Sequence, residues 1–345
     1  MPAKTLKSTA FSTIDLDQPG KRAGFVMIPH SPNDDAWGVT RIPIAVITGG
    51  KGPTVIIEGG NHGDEYEGPI IISELIRDLR PSEIIGRLIL MPANNVHAVV
   101  AGQRTSPVDG LNFNRTFPGD PAGSITEQIS AYMAQEIFPR GNAFIDLHSG
   151  GSSLDILPSA VIEPSQDPGL LAKNIDAARA FDAPVTIVIP NLGDPRTATA
   201  CACSFGLTTI GTELGGGGTV SREGVDICRR GVRKVLAHLG VMAPLPSEAP
   251  RGDQHILEMA SSRAYVYATL DGIFESFHAL GAKVHAGEPV GRIHCTWDPA
   301  REPETLHFGT DGILYARRQP GRVRPGNCCA VVGSPYTGAA GVKQA

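Results

Sequence analysis

Residues 54–65 read TVIIEGGNHGDE, a short apolar run that ends in two glycines and leads into His62 and Glu65. A continuous apolar run of this length, closed by a turn signal, is typical of a strand buried on both faces of a parallel sheet. In the following stretch, residues 68–80, a proline stands near the start and apolar residues recur at helical spacing. The segment therefore predicts a buried strand, a polar loop and an amphipathic helix.

The same alternation continues along the chain. A capping-box pattern, Ser124 to Glu127, opens the second predicted helix. Strands that alternate with helices favour an α/β fold with a mostly parallel mixed sheet flanked by helices, in which ligands bind at the carboxyl ends of the strands. Further strands are predicted at 87–94, 143–150, 183–190 and 207–213, and further helices at 124–138, 167–181 and 223–239.

The chain changes character after Leu239. Residues 241–253 are rich in proline, and short β segments separated by glycine turns follow from 256 to 332. We expect three parts: an N-terminal β-rich segment, a catalytic domain and an all-β domain. Their bounds are residues 1–50, 51–245 and 255–335.

Composition narrows the class of protein. The 345 residues are 41% hydrophobic and carry a net charge of −5, which favours a buried core and argues against nucleic-acid or anionic-membrane partners. No run of about 18 apolar residues could span a bilayer, and the N-terminus lacks a signal core, so we expect a cytoplasmic protein. The six cysteines lack C-x2-C spacing and are expected to be reduced. The sequence leaves the oligomeric state open, and a homo-oligomer is compatible with it.

Residues capable of metal chemistry follow three of the predicted strands. His62 and Glu65 follow the first, His148 ends another, and Glu213 ends a third just before four glycines. Two histidines and a carboxylate suit a catalytic zinc ion with one coordination position left for water, and a further glutamate could act as general base. The alternative is a hydrogen-bonded histidine in a buried turn and a helix-capping glutamate. Asp64 and Asp146 could orient the histidines or could serve in turns.

A long polar loop, residues 101–119, lies in the sequence between Glu65 and His148. It contains Arg104, Asn112, Asn114 and Arg115. A guanidinium on a rigid loop is well suited to bind a substrate carboxylate, and a second one near a metal can stabilise an oxyanion. The alternative is a pair of surface arginines in an ordered loop.

Four motifs stand in order along the chain: NHGDE (61–65), NFNR (112–115) with FPG (117–119), DLHSGG (146–151) and TELGGGG (212–218). Taken together, they resemble the succinylglutamate desuccinylase/aspartoacylase family, which belongs with the zinc carboxypeptidases. The resemblance implies one zinc ion per chain, bound by His62, Glu65 and His148, and a small N-acyl amino acid as substrate.

The resemblance also implies roles for the remaining site residues. Glu213 would activate the attacking water and later pass its proton to the leaving amine. Arg104 would stabilise the oxyanion, and Asn114 and Arg115 would clamp the substrate α-carboxylate. Loop length before the Asn-x-Asn-Arg element varies in such enzymes, which makes Arg104 the least secure of these assignments.

Within the family, the chain looks most similar to the members that remove the acetyl group from N-α-acetyl-L-2,4-diaminobutyrate during ectoine breakdown. Asp194 is then a candidate to bind the side-chain ammonium, with a turn aspartate as the alternative. Other readings are a desuccinylase or aspartoacylase for another N-acyl amino acid, a zinc exopeptidase, and a non-catalytic zinc-binding or ligand-binding protein. A nucleotide-binding reading of Gly59-Gly60-x-x-Gly63 is weak, because the spacing is not G-x-G-x-x-G.

The C-terminal region, from about residue 272 to 333, resembles a biotinyl/lipoyl-like barrel-sandwich hybrid. No lysine stands at the hairpin tip where a prosthetic group would attach, so the resemblance implies a structural or lid-forming role. The histidines of this region are expected to be surface or packing residues; they are His278, His285, His294 and His307.

Overall fold

The structure is a computed structural model that describes residues 6–190, 194–244, 255–259 and 261–337. A central mixed sheet runs in the order β1-β2-β3-β5-β4-β6-β10-β8-β9-β11. Its strands are β1 (Phe11–Ser12), β2 (Gly20–Pro29), β3 (Val39–Thr48), β4 (Thr54–Gly59), β5 (Arg87–Met91), β6 (Ala143–His148), β8 (Ser159–Ile162), β9 (Val185–Val188), β10 (Thr208–Glu213) and β11 (His255–Glu258).

The middle of this sheet is parallel. Strands β5, β4, β6 and β10 all run in one direction, so their carboxyl ends meet at the same edge. Glu58 is in register with Asp146, and Glu213 is in register with His148. The predicted α/β fold with a mostly parallel central sheet is confirmed, and the strand ends that carry the candidate site residues are adjacent.

Helices cover both faces of the sheet, as the alternation of buried side chains along each strand requires. Val55 and Ile57 face one helical layer, formed by α1, α4 and α6, while Ile56 faces the other, formed by α3 and α5. The helices are α1 (Glu67–Asp78), α2 (Val96–Ala101), α3 (Ile125–Tyr132), α4 (Pro168–Phe181), α5 (Ala198–Ser204) and α6 (Arg222–His238).

The C-terminal part is antiparallel β structure with its own apolar core. Strands β16, β15, β13 and β18 form a four-stranded sheet, and the others continue from the central sheet through β11 and β19. The strands are β12 (Tyr265–Tyr267), β13 (Gly272–Ser276), β14 (Lys283–Val284), β15 (Pro289–His294), β16 (Glu304–His307), β17 (Gly312–Arg318), β18 (Arg322–Val323) and β19 (Cys328–Pro335).

Two strand pairings join this C-terminal part to the rest of the chain, and the sequence indicated neither. Strand β11 is parallel to β9, and the short strand β7 (Leu154–Ile156) is antiparallel to β17. The C-terminal part is thus packed directly against the sheet that carries the candidate site. The three-part domain division stays a prediction, and most of the predicted proline-rich linker lies outside the described residues.

Two smaller predictions can also be compared with the structure. All six cysteines are free thiols. Of the four C-terminal histidines, His285 and His307 are exposed, whereas His278 and His294 are half-buried and bonded to neighbouring acceptors. Across the described ranges, no helix combines the length and the apolar character needed to cross a membrane.

Candidate active site

The three predicted metal ligands lie together at the carboxyl edge of the central sheet. The two carboxylate oxygens of Glu65 lie 2.8 Å from His62 Nδ1 and 2.8 Å from His148 Nδ1. One ligand atom from each residue falls within 4.8 Å of the others. Imidazole nitrogens with a carboxylate oxygen are the donor set that zinc accepts when it keeps a position open.

The Nε2 atom of each histidine also lies close to an oxygen of a neighbouring side chain. His62 Nε2 lies 3.1 Å from Asn112 Oδ1, and His148 Nε2 lies 2.9 Å from Asp146 Oδ2. Such contacts fix the orientation of an imidazole ring and leave its other nitrogen for a metal. Of the two candidate aspartates, Asp64 and Asp146, it is therefore Asp146 that contacts a histidine. Asn112 makes the corresponding contact with His62.

Asp64 does not orient a histidine but stabilises a turn, which was the second role considered for it. Its carboxylate accepts hydrogen bonds from the backbone N–H and the hydroxyl of Ser152, at 2.8 and 2.7 Å. It thereby holds the loop that follows His148. The neighbouring Gly63 packs so closely on α2 that an added Cβ would lie 1.8 Å from the carbonyl oxygen of Ala98. Only glycine fits there, which explains its place between His62 and Asp64.

Negative charge dominates the buried part of the site. Burial, with the charge of Asp146, raises the pKa of Glu58 well above its usual value. Burial alone would lower the pKa of His148, but the charges of Asp146 and Glu65 outweigh it and raise that pKa well above the usual value. Burial opposes ionisation of Glu65, yet the two histidines hold its pKa below the usual range. Clustered acids beside two imidazoles are an environment that a divalent cation neutralises.

Glu213 ends β10 beside this cluster, opposite Ser159 on one neighbouring strand. Burial, with the charge of Glu65, raises its pKa to about 8. It is not a helix cap, because Ser221 caps α6 through the N–H of Gly224. The chain then turns through Gly215–Gly218, where all four residues have positive φ. A run of left-handed residues is strained for any other residue type, so the four glycines let the chain leave the strand end sharply.

The two loop arginines take different places. Arg104 Nη1 lies 3.5 Å from both Glu65 Oε1 and His62 Nδ1, and nearly half of its side chain is exposed. Arg115 Nε lies 3.3 Å from Asp194 Oδ2. Asn114 Oδ1 accepts a 2.8 Å hydrogen bond from the backbone N–H of Ala198, which docks the loop on the start of α5.

Asp194, the candidate partner for a side-chain ammonium, is already paired with cations. Its carboxylate accepts two hydrogen bonds from the Arg196 guanidinium, at 2.9 and 2.8 Å, and also faces Arg115. The hydrogen bond from Arg196 is the main cause that lowers the pKa of Asp194 to about 2. The backbone N–H of Arg196 donates to it as well, so the turn alternative describes it better.

One cavity of about 330 Å³ is lined by the predicted metal ligands, by Glu213 and by the three loop residues Arg104, Asn114 and Arg115. Its metal end contains the ligand cluster, Glu213 and Arg104. Glu163 belongs to the far end, because it comes four residues after Ser159, which is opposite Glu213 on an antiparallel strand. Thr199, which donates a hydrogen bond to Glu163, also lines the cavity. Glu163 is not among the residues predicted from the sequence, although it follows an apolar run, 160–162, much as Glu58 follows 54–57. The cavity is lined by His62, Glu65, Arg104, Asn114, Arg115, Asp146, His148, Ser149, Gly150, Ser153, Leu154, Ile156, Val161, Glu163, Ile189, Thr199, Thr209, Gly211, Thr212 and Glu213.

Comparison with known proteins decides the family. Residues 51–239 match the model of the succinylglutamate desuccinylase/aspartoacylase catalytic domain. The chain belongs to this family. The resemblance read from the sequence motifs is confirmed, and the matched residues include every predicted site residue.

Several members of the family resemble the chain over nearly its whole length. The N-alpha-acetyl-L-2,4-diaminobutyric acid deacetylase of Halomonas elongata is 37% identical over 331 residues, 96% of each chain. A succinylglutamate desuccinylase/aspartoacylase structure from Rhodobacter sphaeroides is 41% identical, with a TM-score of 0.90, over 95% of this chain and 100% of that one. The product-bound ectoine utilization protein EutE (DoeB) of Ruegeria pomeroyi is 36% identical, with a TM-score of 0.91, over the same shares.

Proposed function

We propose that the chain is a zinc-dependent amidohydrolase that converts N-α-acetyl-L-2,4-diaminobutyrate to 2,4-diaminobutyrate and acetate. The observation that carries the reaction class is the His62–Glu65–His148 cluster with Glu213 beside it in one cavity. The substrate rests on the similarity to the Halomonas elongata deacetylase and to EutE.

His62, Glu65 and His148 would hold one zinc ion. Their nitrogen and oxygen donors and the surrounding buried acids fit a divalent cation. When bound, zinc supplies Lewis acidity that polarises the acyl carbonyl and acidifies the attacking water. Asn112 and Asp146 would keep both imidazole rings turned towards the ion through their 3.1 and 2.9 Å contacts.

Glu213 would act as the general base and then as the general acid. Its ionised carboxylate takes a proton from the water that attacks the carbonyl carbon, and it returns that proton to the leaving amine nitrogen. Burial and the negative charge of Glu65 raise the pKa of Glu213 to about 8 when no cation is bound. A cation beside Glu213 lowers this pKa, because positive charge favours the ionised carboxylate, and that is the form the first step needs.

The two loop arginines would have different roles: Arg104 would stabilise the oxyanion, and Arg115 would bind the substrate. Arg104, close to the ligand cluster, would donate to the oxygen that gains charge as the carbonyl is attacked. Arg115 and Asn114 would bind the α-carboxylate of the substrate. Asp194 would orient the Arg115 guanidinium through its 3.3 Å contact.

We further propose that the C-terminal β region has the barrel-sandwich fold and narrows the entrance to the site. Two contacts support a role at the site. Tyr315 places its hydroxyl 2.6 Å from Ser159, the residue opposite Glu213, and the backbone N–H of Gln319 donates to Ser153. A narrowed entrance favours small substrates over peptides. We also propose a cytoplasmic location, where such small metabolites are available.

The test is amine release from a panel of N-acyl amino acids by the zinc-loaded protein. The panel contains N-α-acetyl-2,4-diaminobutyrate, N-acetylaspartate, N-succinylglutamate and a short peptide. We expect turnover to favour the diaminobutyrate compound strongly. Preference for another member would replace the substrate and keep the hydrolase; turnover of none, with zinc bound, would indicate a binding protein.

A further inference from the structure

Gly211 lies inside a buried strand of the central sheet, at a position where the backbone does not require glycine. It belongs to β10, two residues before Glu213, and its φ is outside the left-handed region. An added Cβ would lie 3.5 Å from the Cβ of Val161 and 3.8 Å from the two nearest carbonyl oxygens, which are ordinary contact distances. A glycine inside a strand weakens the strand, and it often marks the close approach of a ligand.

Gly150 gives the contrast, because it lines the same cavity but is required by its neighbours. An added Cβ at Gly150 would lie 2.3 Å from the carbonyl oxygen of Leu154. A side chain at position 211 would meet no such obstacle and would extend into the cavity. The absence of a side chain at Gly211 therefore leaves space in the cavity and does not relieve a clash in the fold.

The cavity follows one face of β10. Alternate residues of a strand point to the same side, and Thr209, Gly211 and Glu213 all line the cavity. Val161, opposite Gly211 on the antiparallel β8, lines it as well. Two residues along a strand span about 7 Å. The space over Gly211 is thus within reach of a short side chain on a substrate whose amide is held at Glu213.

The proposed α-carboxylate site lies on the same side of the sheet as this space. Asn114, one of its two residues, accepts a hydrogen bond from the backbone N–H of Ala198 at the start of α5. The next residue of that helix, Thr199, lines the cavity, and α5 packs against β10. A substrate with its amide at Glu213 and its carboxylate at this loop would have its Cα between α5 and β10, with its side chain over Gly211.

We propose that Gly211 is a specificity-determining residue, whose lack of a side chain gives room to the unbranched side chain of an N-acyl amino acid. The inference rests on the proposed hydrolysis of N-acyl amino acids at this site. Val161 and Ile189 supply apolar walls that suit a methylene stem. A side chain at position 211 would occupy the same space, so the length of the side chain that the site accepts depends on this glycine.

The experiment measures kcat/KM of Gly211→Ala for N-acetyl amino acids of increasing side-chain length. The series is N-acetylalanine, N-acetyl-2-aminobutyrate, N-acetylnorvaline and N-α-acetyl-2,4-diaminobutyrate. For the last two, whose side chains are the longest, we expect a fall of about 10-fold or more, mainly through KM, because the new methyl group takes the place of a substrate methylene. The value for N-acetylalanine should change less than about threefold.

A second series varies the acyl half of the substrate and keeps the side chain constant. It consists of the acetyl, propionyl and butyryl derivatives of alanine. The ratio of kcat/KM between Gly211→Ala and the wild type should be the same for all three, because the acyl group would lie away from Gly211.

Two further variants control for effects on the fold. Gly50→Ala adds a methyl group at an exposed position where nothing lies within 4 Å, and it should change no substrate. The double variant Gly211→Ala with Val161→Ala removes two methyl groups from the facing strand and should restore part of the activity on the longer side chains. Gly211→Ala itself should unfold at no lower urea concentration than the wild type, because glycine weakens a strand.

Three results would overturn the inference. Equal losses at every side-chain length would give Gly211 a structural role, and no loss at any length would show that substrates do not use this space. A loss that grows along the acyl series instead would place the acyl group over Gly211.

The wild-type protein separates this inference from the function beneath it. If the zinc-loaded wild type cleaves no member of either series, the proposed function fails, and calorimetric binding of free alanine and norvaline to both proteins tests the space over Gly211. Binding that weakens in Gly211→Ala at least tenfold for norvaline and less than threefold for alanine supports the inference. Equal changes, or no binding of either amino acid, would contradict it.

Discussion

The two ends of the cavity are built in different ways. At the metal end, Glu65 lies 2.8 Å from both His62 and His148, and the three residues come from adjacent parallel strand ends. At the far end, Glu163 follows an antiparallel strand and is held by hydroxyls from α5. The proposed metal ligands thus form one tight cluster, whereas Glu163 is held by contacts between segments that are distant in the sequence.

The largest expected effect is the removal of a metal ligand. His148→Ala should lose zinc and reduce turnover to background, because it removes a donor and leaves Glu65 and Asp146 without the imidazole between them. The loss of zinc affinity should exceed the roughly 10- to 100-fold typical of changes in outer hydrogen-bond partners. Metal content and amine release measure it, and His294→Ala, a half-buried histidine paired with Glu275, should retain both. Stoichiometric zinc in His148→Ala would remove it from the ligand set.

Glu213→Ala should separate metal binding from chemistry at the same end of the cavity. We expect zinc to be retained, because Glu213 is outside the ligand cluster, and turnover to fall on the order of a hundredfold or more. Single-turnover kinetics with measured zinc content would check this. Turnover at the wild-type rate would exclude Glu213 as the base.

Arg104→Ala should lower kcat by about 10²-fold, the usual effect of removing one oxyanion donor. Substrate binding should change less, because Arg104 lies 3.5 Å from Glu65 in the ligand cluster, beside the carbonyl oxygen that would gain charge. Arg104→Lys should have a kcat between those of the wild type and Arg104→Ala, because lysine keeps the positive charge. A rise in KM with unchanged kcat would instead place Arg104 in substrate binding.

The smallest expected effect lies behind the cavity. Tyr315→Phe removes a buried hydroxyl that bonds Ser159 at 2.6 Å and leaves that serine without this partner. We expect about 1 kcal/mol less stability in urea unfolding and a change in kcat of less than about threefold. A large loss of kcat with unchanged stability would indicate that Tyr315 takes a direct part in the reaction. It would contradict the purely structural role that we assign to its hydroxyl.

The sequence could predict the metal end because its physical constraints are local. Strands β4, β6 and β10 are buried on both faces and therefore appear as continuous apolar runs. Strands β6 and β10 end in His148 and Glu213, and the loop after β4 carries His62 and Glu65. Parallel strands bring their carboxyl ends to one edge, so the meeting of His62, His148 and Glu213 could be expected. Family resemblance then supplied the roles.

The far end could not be predicted because its contacts join distant segments. Strands β7 and β8 are three and four residues long and flank Pro158, which is too short for a periodic pattern. Glu163 meets Thr199 across 36 residues, and Arg115 meets Asp194 through a loop contact. The parallel pairing of β11 with β9 crosses the proline-rich stretch, so the sequence suggested a C-terminal part with no strand in the central sheet.

The most direct test of the metal-dependent mechanism is a zinc titration of chelated protein, with turnover of N-α-acetyl-2,4-diaminobutyrate and bound metal measured on the same samples. Wild-type turnover should be absent without zinc, rise with bound zinc and saturate at one ion per chain. Glu213→Ala should bind the same amount of zinc with little turnover. Full turnover in the chelated wild type, or turnover that follows zinc equally in both proteins, would contradict the account.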